Sequence, residues 1–277
     1  MKCPGETMNP AIKCNDNIAE LQKLPSGSID LAYIDPPFFT QRDFGDFNDK
    51  WKSLQHYLDF MQPRIEHIHR VLKPGGTAYI HLDSNANAYV RVMADKIFGF
   101  KNFANEIAWC YKGPSAGTSK FPRKHDTILR YTKNGAPPVF NADAVRVPYN
   151  PVTIEKRKYE IGGIARGKGT YDKGFRFKGK DISMYDKGKI PEDWWDDIGA
   201  GGQMSKHERT GYATQKPEKL LERIISASSN PGDMILDAFA GSGTTCAIAQ
   251  KLGRKSICID ANPKACKIMK ARLRRSI

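Results

Sequence analysis

Four consecutive residues, Asp35-Pro36-Pro37-Phe38, combine an acid, a stiff turn and an aromatic ring directly after an apolar segment. The prolines lack a backbone N–H but keep their carbonyl acceptors, and they restrict the turn that follows the acid. A carboxylate and a carbonyl can accept the two N–H groups of one amine, and an aromatic ring can stack on a planar partner. These residue types predict a site for a planar substrate with an amino group. The alternative is a rigid loop in which Phe38 packs into a core.

A second segment, residues 237–245, reads Asp-Ala-Phe-Ala-Gly-Ser-Gly-Thr-Thr and predicts a strand, a tight turn and a helix start. Gly241 and Gly243 allow the backbone to approach a ligand closely, and the amino end of the helix can receive an anionic group. Asp260 ends the next predicted strand, 23 residues after Asp237, where an acid can accept hydrogen bonds from ribose hydroxyls. No Gly-Lys-Ser/Thr follows, and the third glycine of the dinucleotide motif is absent. The pattern favours a nucleoside cofactor without a pyrophosphate over an ordinary strand–turn–helix.

Alternating apolar segments predict the elements that must position these two sites. Buried strands are predicted over residues 28–35, 77–83, 106–111, 127–131, 234–240 and 256–260, and helices over residues 57–72, 86–98, 217–229, 244–252 and from 262 onward. This alternation predicts an α/β fold with an open, mostly parallel sheet. In such sheets ligands bind at the carboxyl ends of the strands, which is where both motifs would lie.

The charge balance indicates a polyanionic partner. The 277 residues contain 44 Lys and Arg against 30 Asp and Glu, which gives a formal net charge of +14. Such a balance is typical of proteins that bind nucleic acid, although a basic soluble protein without such a partner is the alternative. Residues 113–207 are rich in Gly, Pro, Lys and Arg and lack sustained periodicity. We interpret this stretch as a small irregular subdomain.

Cysteine usage and hydropathy restrict the class of protein further. None of the six cysteines forms a C-x-x-C pair, and no His-rich segment accompanies them, so no metal site is predicted. We interpret them as small apolar residues in a reducing cytosol. No run of about 18 apolar residues is present, so we expect no membrane span and a cytoplasmic location.

The two motifs and their order resemble those of the β-class amino DNA methyltransferases, which methylate adenine N(6) or cytosine N(4). In that class the catalytic motif precedes the glycine turn, and a target-recognition region lies between them, as here. The more common methyltransferase order has the glycine turn first. The resemblance covers most of the chain and is weakest over residues 113–207. It implies a Rossmann-like methyltransferase fold with a circularly permuted motif order, and S-adenosylmethionine as cofactor with no metal required.

The resemblance also assigns site residues on this sequence. The implied catalytic residues are Asp35, Pro36, Pro37 and Phe38. The implied cofactor-binding residues are Asp16, Asn17, Asp35, Lys216, Asp237, Phe239, Gly241, Ser242, Gly243, Thr244, Asp260 and Ala261. Among these, Asp16 would accept a hydrogen bond from the cofactor adenine, Asp260 would bind the ribose, and Lys216 would pair with the carboxylate. Lys216 as a solvated lysine at a helix start is the alternative. Family members often have Gly where this chain has Asn15.

The implied organisation has three parts and one macromolecular partner. Residues 1–112 would form the catalytic half of the methyltransferase domain, 113–207 a basic target-recognition region, and 208–277 the cofactor-binding half. Double-stranded DNA would contact the 113–207 region and the 39–51 loop, which would close over the target. Members of this class are often dimers, so a homodimer is one expectation. Trp194 and Trp195 could fill the gap left by a flipped base, but core packing is the preferred interpretation.

The implied reaction transfers a methyl group to the exocyclic amine of a base flipped out of duplex DNA. Asp35 and the Pro36 carbonyl would hold the amine, and Phe38 would hold the base. Adenine is the expected target, because cytosine enzymes of this type more often carry Ser at the position of Asp35. The alternatives are a cytosine-N(4) methyltransferase, an RNA methyltransferase, and a DNA-binding module without turnover.

Overall fold

The apolar segments form an eight-stranded sheet in the computed structural model, which describes residues 10–113, 119, 121–153 and 187–275. Its strands are β1 (Ala11–Cys14), β2 (Ile29–Ile34), β5 (Leu72–Leu82), β6 (Phe103–Cys110), β7 (His125–Thr132), β8 (Trp194–Trp195), β9 (Met234–Asp237) and β10 (Lys255–Asp260). A separate hairpin pairs β3 (Arg42–Asp43) with β4 (Asn48–Asp49). The sheet order is β1-β10-β9-β2-β5-β7-β6-β8. Within the described ranges β7 alone runs antiparallel to both its neighbours, which confirms an α/β fold with an open, mostly parallel sheet.

Helices connect and cover these strands. They are α1 (Asn17–Lys23), α2 (Leu54–Val71), α3 (Asn87–Phe98), α4 (Glu218–Ser228), α5 (Thr244–Lys251) and α6 (Pro263–Arg275). Helix α2 begins earlier than predicted because the Ser53 hydroxyl accepts a hydrogen bond from the His56 N–H, and it contains Pro63. The predicted start of α6 is confirmed, since the Asn262 side chain accepts from the Lys264 N–H.

The sheet is covered on both faces, and the period-two alternation of β2 decides which face each side chain joins. Ala32 and Ile34 pack in one core together with residues of α2 and α3. Leu31 and Tyr33 pack in a second core with residues of α4 and α5. Both faces of β2 are therefore buried, which explains why its sequence is a continuous apolar run.

Three parallel strands carry the two motifs to the same edge of the sheet. Asp237, at the end of β9, is level with Tyr33 of β2 and Cys258 of β10. Asp35 lies two residues beyond Tyr33, and Asp260 lies two residues beyond Cys258. Since the carboxyl ends of these strands coincide, three acids separated widely in sequence converge there.

Contacts within the chain define two compact units, Met1–Asn141 with Asp193–Ile277, and Ala142–Glu192. The larger unit holds the sheet and its helices. In the smaller unit a short helical turn covers Ala142–Val145, and Val147 pairs with Lys189. Much of the basic stretch singled out in the sequence, residues 154–186, lies outside the described residues. No helix in the described part of the chain is long and apolar enough to cross a membrane.

Two cysteines and one tryptophan differ from the sequence expectations. Cys246 on α5 and Cys258 on β10 are joined by a disulfide, with their Cα atoms 6.4 Å apart, where reduced thiols are predicted. They lie in a small buried core beneath α6. Trp195 packs in the second core, as preferred from the sequence, whereas Trp194 on the edge strand β8 is 54% exposed.

Candidate active site

A cavity of about 290 Å³ opens where β2, β9 and β10 end. Parts of the chain that are distant in sequence meet around it. The predicted site residues that line it are Asp16, Asn17, Asp35, Pro36, Pro37, Phe38, Lys216, Asp237, Phe239, Gly241, Ser242, Thr244, Asp260 and Ala261. Of the predicted residues only Gly243 lies outside the lining, and it precedes α5 with φ of +77°. The structure therefore brings together the two motifs that the sequence presents about 200 residues apart.

Asp35 presents one engaged and one open carboxylate oxygen in this cavity. Its Oδ2 atom lies 2.8 Å from Nζ of Lys216, and both side chains are largely buried. Its Oδ1 atom is buried and has no hydrogen-bond partner among the residues that the structure describes. A buried acceptor without a partner is costly, so this atom is suited to a donor supplied by a ligand. Lys216 is not a solvated surface lysine, because it pairs with Asp35 within the chain.

The Phe38 ring rests on a buried polar network. It stacks on His81 with ring centroids 5.7 Å apart, and Lys216 Nζ lies 5.0 Å from the Phe38 centroid. His81 contacts the Tyr33 hydroxyl through Nδ1 at 2.8 Å and Asp126 through Nε2 at 3.2 Å. Burial acts to raise the pKa of Asp126, but the hydrogen bond and charge of His81, together with Lys216 and the Tyr111 hydroxyl, outweigh burial and lower the pKa. The His81 ring on which Phe38 stacks is thus held in place by hydrogen bonds with groups on β2 and β7.

The glycine turn is organised by two acids, the buried Asp237 and the partly buried Asp260. Asp237 accepts hydrogen bonds from the Phe239 N–H and the Thr245 hydroxyl, and burial raises its pKa to about 7. Asp260 accepts from the N–H groups of Gly241 and Asn262, and burial raises its pKa as well. Gly241 has φ of +48°, and a Cβ there would approach the Tyr212 ring to 3.2 Å. The turn is compact because its backbone wraps around carboxylates from two strands.

The predicted adenine-binding segment is tied to the glycine turn by Asn17 and to α2 by the buried Arg64. Asp16 caps α1 through the N–H groups of Ile18 and Ala19, and its other oxygen lies 3.2 Å from Arg64. Arg64 also donates to the side chain of Asn17, whose amide donates to the Ala238 carbonyl. Its guanidinium carbon lies 3.4 Å from the centroid of Phe60, a residue that also lines the cavity. Asp16 therefore has a structural role in addition to any ligand contact.

Residues of the predicted 39–51 loop line the same cavity as the glycine turn. Phe44 and Phe47 stack with centroids 4.9 Å apart, and both line the cavity. Between them, the Asp46 carboxylate accepts from the Ala213 N–H and pairs with Lys264 on α6. This carboxylate fastens the tip of the loop to Ala213 and to the start of α6. The hydrogen bonds from Ala213 and Lys264 lower the pKa of Asp46, because together they outweigh burial, which acts to raise it.

Residues 29–271 match the N6/N4 methyltransferase family model, which is described as DNA methylase. The chain belongs to this DNA methylase family. The methylase is 34% identical over 259 residues to DNA adenine methyltransferase YhdJ of Escherichia coli (strain K12), with 93% of this chain and 80% of YhdJ covered. It is 32% identical over 266 residues to the type II methyltransferase M.HpaI of Haemophilus parainfluenzae, with 96% and 74% covered.

The fold of the methylase is also found in solved structures. The TTHA0409 structure from Thermus thermophilus, complexed with S-adenosyl-L-methionine, superimposes with a TM-score of 0.64 at 20% identity. The match covers 97% of this chain and 95% of that chain. Family membership makes the methylase an S-adenosylmethionine-dependent DNA methyltransferase, as the two motifs and their order imply.

The methylase cavity fits this cofactor on its own chemistry. It combines aromatic rings, such as Phe60 and Phe239 with centroids 6.2 Å apart, with two carboxylates, those of Asp237 and Asp260. Such a mixture suits a ligand that joins a nucleoside to a cationic and zwitterionic tail. Within the described part of the chain no cluster of three or more His, Cys, Asp or Glu could hold a metal ion.

Several residues of this site are absent from the sequence prediction. His81 lies in an apolar strand and Arg64 on the buried face of α2, and both patterns are typical of structural residues. Asp49 lies in a polar segment with no periodicity, and Tyr212 lies in a Gly-rich stretch. Their proximity to the motifs arises from tertiary packing. Only the polar character of His81 and Arg64 at otherwise apolar positions is a signal that the sequence offers.

Proposed function

We propose that the methylase transfers the methyl group of S-adenosylmethionine to the N(6) amine of adenine in duplex DNA. The observation that carries the proposal is the open Oδ1 of Asp35, a buried acceptor beside Phe38 in the cavity that the glycine turn also lines. The name of YhdJ, a DNA adenine methyltransferase at 34% identity, supports adenine as the target. The weaker nucleophilicity of a conjugated amine explains why positioning matters here.

In this proposal Asp35 and its neighbours hold the target amine. Oδ1 of Asp35 accepts one N–H and the Pro36 carbonyl accepts the other, while the Phe38 ring stacks on the base. These hydrogen bonds strengthen as positive charge develops on the amine nitrogen, so they favour the transition state over the bound substrate. Once the N–C bond has formed, the amine proton is acidic and passes to solvent water, so Asp35 does not need to be a strong base. Lys216 holds the other carboxylate oxygen and thereby orients the open one.

The cofactor site in this proposal uses the glycine turn and its surroundings. When bound, S-adenosylmethionine would supply a methyl group activated by its sulfonium, and the product left when the bond from sulfur to that methyl group breaks would be S-adenosylhomocysteine. Asp260 accepts hydrogen bonds from the ribose hydroxyls, and Asp16 with Asn17 binds the adenine end. Phe239 packs against the ligand, and Asp237 with Gly243 maintains the turn. The remaining proposed contacts are Gly241, Ser242, Thr244, Ala261 and Lys216.

The proposed DNA contacts follow from the positive charge of the chain and from the requirement that the target base leave the duplex. The target amine is base-paired, so the base must leave the stack at a cost of a few kcal/mol. We propose that the basic 113–207 region is the target-recognition region and binds phosphates, and that the 39–51 loop also contacts DNA. The circularly permuted order, with 1–112 as catalytic half and 208–277 as cofactor half, is part of the same proposal. A homodimer remains a prediction.

Cytosine N(4) is the second candidate target, because the family model covers both N6 and N4 enzymes. Unmethylated DNA is incubated with the methylase and S-adenosylmethionine, digested to nucleosides and analysed by mass spectrometry. Detection of N(6)-methyladenine supports the proposal. Detection of N(4)-methylcytosine would make cytosine the target base and leave the proposed site residues unchanged. If neither nucleoside forms although the cofactor binds, an RNA substrate or a DNA-binding module without turnover becomes the better account.

A further inference from the structure

One buried carboxylate organises the turn that carries Phe38. Asp49 is 1% exposed, and its two oxygens accept hydrogen bonds from three successive backbone N–H groups, those of Phe38, Phe39 and Thr40, at 3.2, 3.1 and 2.8 Å. The Thr40 hydroxyl and the Trp51 indole N–H donate to the same carboxylate at 2.6 and 2.7 Å. Successive N–H groups that converge in this way form an anion-binding nest, and here the anion belongs to the chain itself.

The backbone of this turn needs such support. Phe39 has φ of +62° and Gln41 has φ of +61°, a region that side chains other than Gly adopt at a cost. From the opposite side, the Tyr57 hydroxyl on α2 donates to the Pro37 carbonyl at 2.8 Å. The turn is therefore held by its carbonyl at Pro37 and by its N–H groups at the next three residues.

We propose that Asp49 is a positioning residue for methyl transfer, which acts by fixing the Phe38 ring relative to Asp35. The inference rests on the proposed function, because it requires that Phe38 and Asp35 hold the target base. The hydrogen bonds that Asp49 accepts within the described chain all come from residues 38–51, and none comes from the glycine turn. Its loss should disturb the target side of the cavity more than the cofactor side.

Asp49→Asn is the most direct test. An Asn side chain has a single acceptor oxygen, and its NH₂ group would face N–H donors, so the nest cannot be satisfied. We expect the single-turnover rate of methyl transfer to DNA to fall about 10- to 100-fold, as misplacements near 1 Å do. The affinity for S-adenosylmethionine, measured by calorimetry, should change less than about 3-fold, and the KM for DNA likewise, because duplex binding relies on phosphate contacts.

Asp59→Asn is the matched control. It makes the same charge change on the exposed face of α2, outside the cavity lining and the 39–51 loop, where the Asp59 carboxylate accepts from the Gln55 side chain. Its transfer rate should stay within about 2-fold of the wild type. A normal rate for folded Asp49→Asn would overturn the inference, and so would a parallel loss of cofactor affinity, which would indicate a general collapse of the cavity.

Two milder variants keep the test informative if Asp49→Asn does not fold. Thr40→Val and Trp51→Phe each remove one donor to the carboxylate and leave the carboxylate itself in place. Each should lower the transfer rate about 3-fold or more with unchanged cofactor affinity. Normal rates in both variants would contradict the inference.

Asp35→Ala, measured in the same series, separates the two proposals. A normal rate for this variant would remove the catalytic assignment, and the Asp49 inference with it. An inactive Asp35→Ala beside a fully active Asp49→Asn would reject the positioning role of Asp49 alone.

Discussion

Two acids at the same sheet edge lie in opposite electrostatic surroundings. Asp35 faces the ammonium of Lys216 and keeps one oxygen open. Asp237 is fully enclosed and receives only a hydroxyl and a backbone N–H in the described chain. Burial is the largest influence on Asp237 and raises the pKa of its carboxyl group from 3.8 to about 7. The first arrangement suits ligand binding through the open oxygen, and the second suits a structural acid beneath the glycine turn.

The raised pKa of Asp237 predicts a pH-dependent stability. The folded state binds the proton more tightly than the unfolded state, so the contribution of this group is fully present below about pH 4 and is lost as the pH rises through about 7. We expect the free energy of unfolding of the wild type, relative to Asp237→Asn, to fall between pH 5 and pH 8 by an amount on the order of a few kcal/mol. Urea denaturation at several pH values measures this difference. A pH-independent difference would contradict the assignment.

At the scale of elements, the strand–turn–helix around the glycine turn depends on close packing. Gly243, which precedes α5, has φ of +77°, and a Cβ on it would lie 2.4 Å from Cγ of Met269 on α6. The left-handed backbone and the contact with α6 both favour glycine at this position. Gly232 has a similarly positive φ of +92° but open space around it, which separates the two effects.

Gly243→Ala should therefore destabilise the methylase more than Gly232→Ala. Both substitutions place a side chain in the left-handed region at about 1–2 kcal/mol, and the first adds an overpacking cost of about 1–3 kcal/mol. Chemical denaturation of both variants measures the difference, and calorimetry with S-adenosylmethionine should show weaker binding to Gly243→Ala alone. Equal losses of stability would mean that Met269 yields without cost.

The elements that sequence reasoning recovers are those whose pattern reflects burial. Strand β2 and residues 257–259 of β10 are apolar runs because both faces of the sheet are covered at these strands. The pairs Arg42–Asp43, Asn48–Asp49 and Trp194–Trp195 are two-residue strands, too short for any period, and they form through tertiary contacts. The motif residues are predictable because they directly follow such apolar strands. His81 and Asp49, which support Phe38, are not predictable because they reach it only through long-range packing.

At the scale of the whole molecule, the net charge of +14 bears on DNA binding. A protein that neutralises phosphates releases counterions, so its DNA affinity falls as salt rises. If about five phosphates are contacted, the logarithm of the association constant should fall with the logarithm of salt concentration with a slope of about −4 to −5. Fluorescence anisotropy with duplex DNA at about 50–200 mM salt measures the slope. A slope near zero would contradict a phosphate-binding role for the basic residues.

The most direct test of the proposed chemistry compares wild type with Asp35→Ala for cofactor affinity and for the nucleosides formed in DNA. We expect N(6)-methyladenine with the wild type. With Asp35→Ala we expect cofactor affinity within about 3-fold and a transfer rate lowered by about 100-fold or more. N(6)-methyladenine formed by Asp35→Ala at the wild-type rate would contradict the central claim that the open carboxylate oxygen of Asp35 holds the target amine.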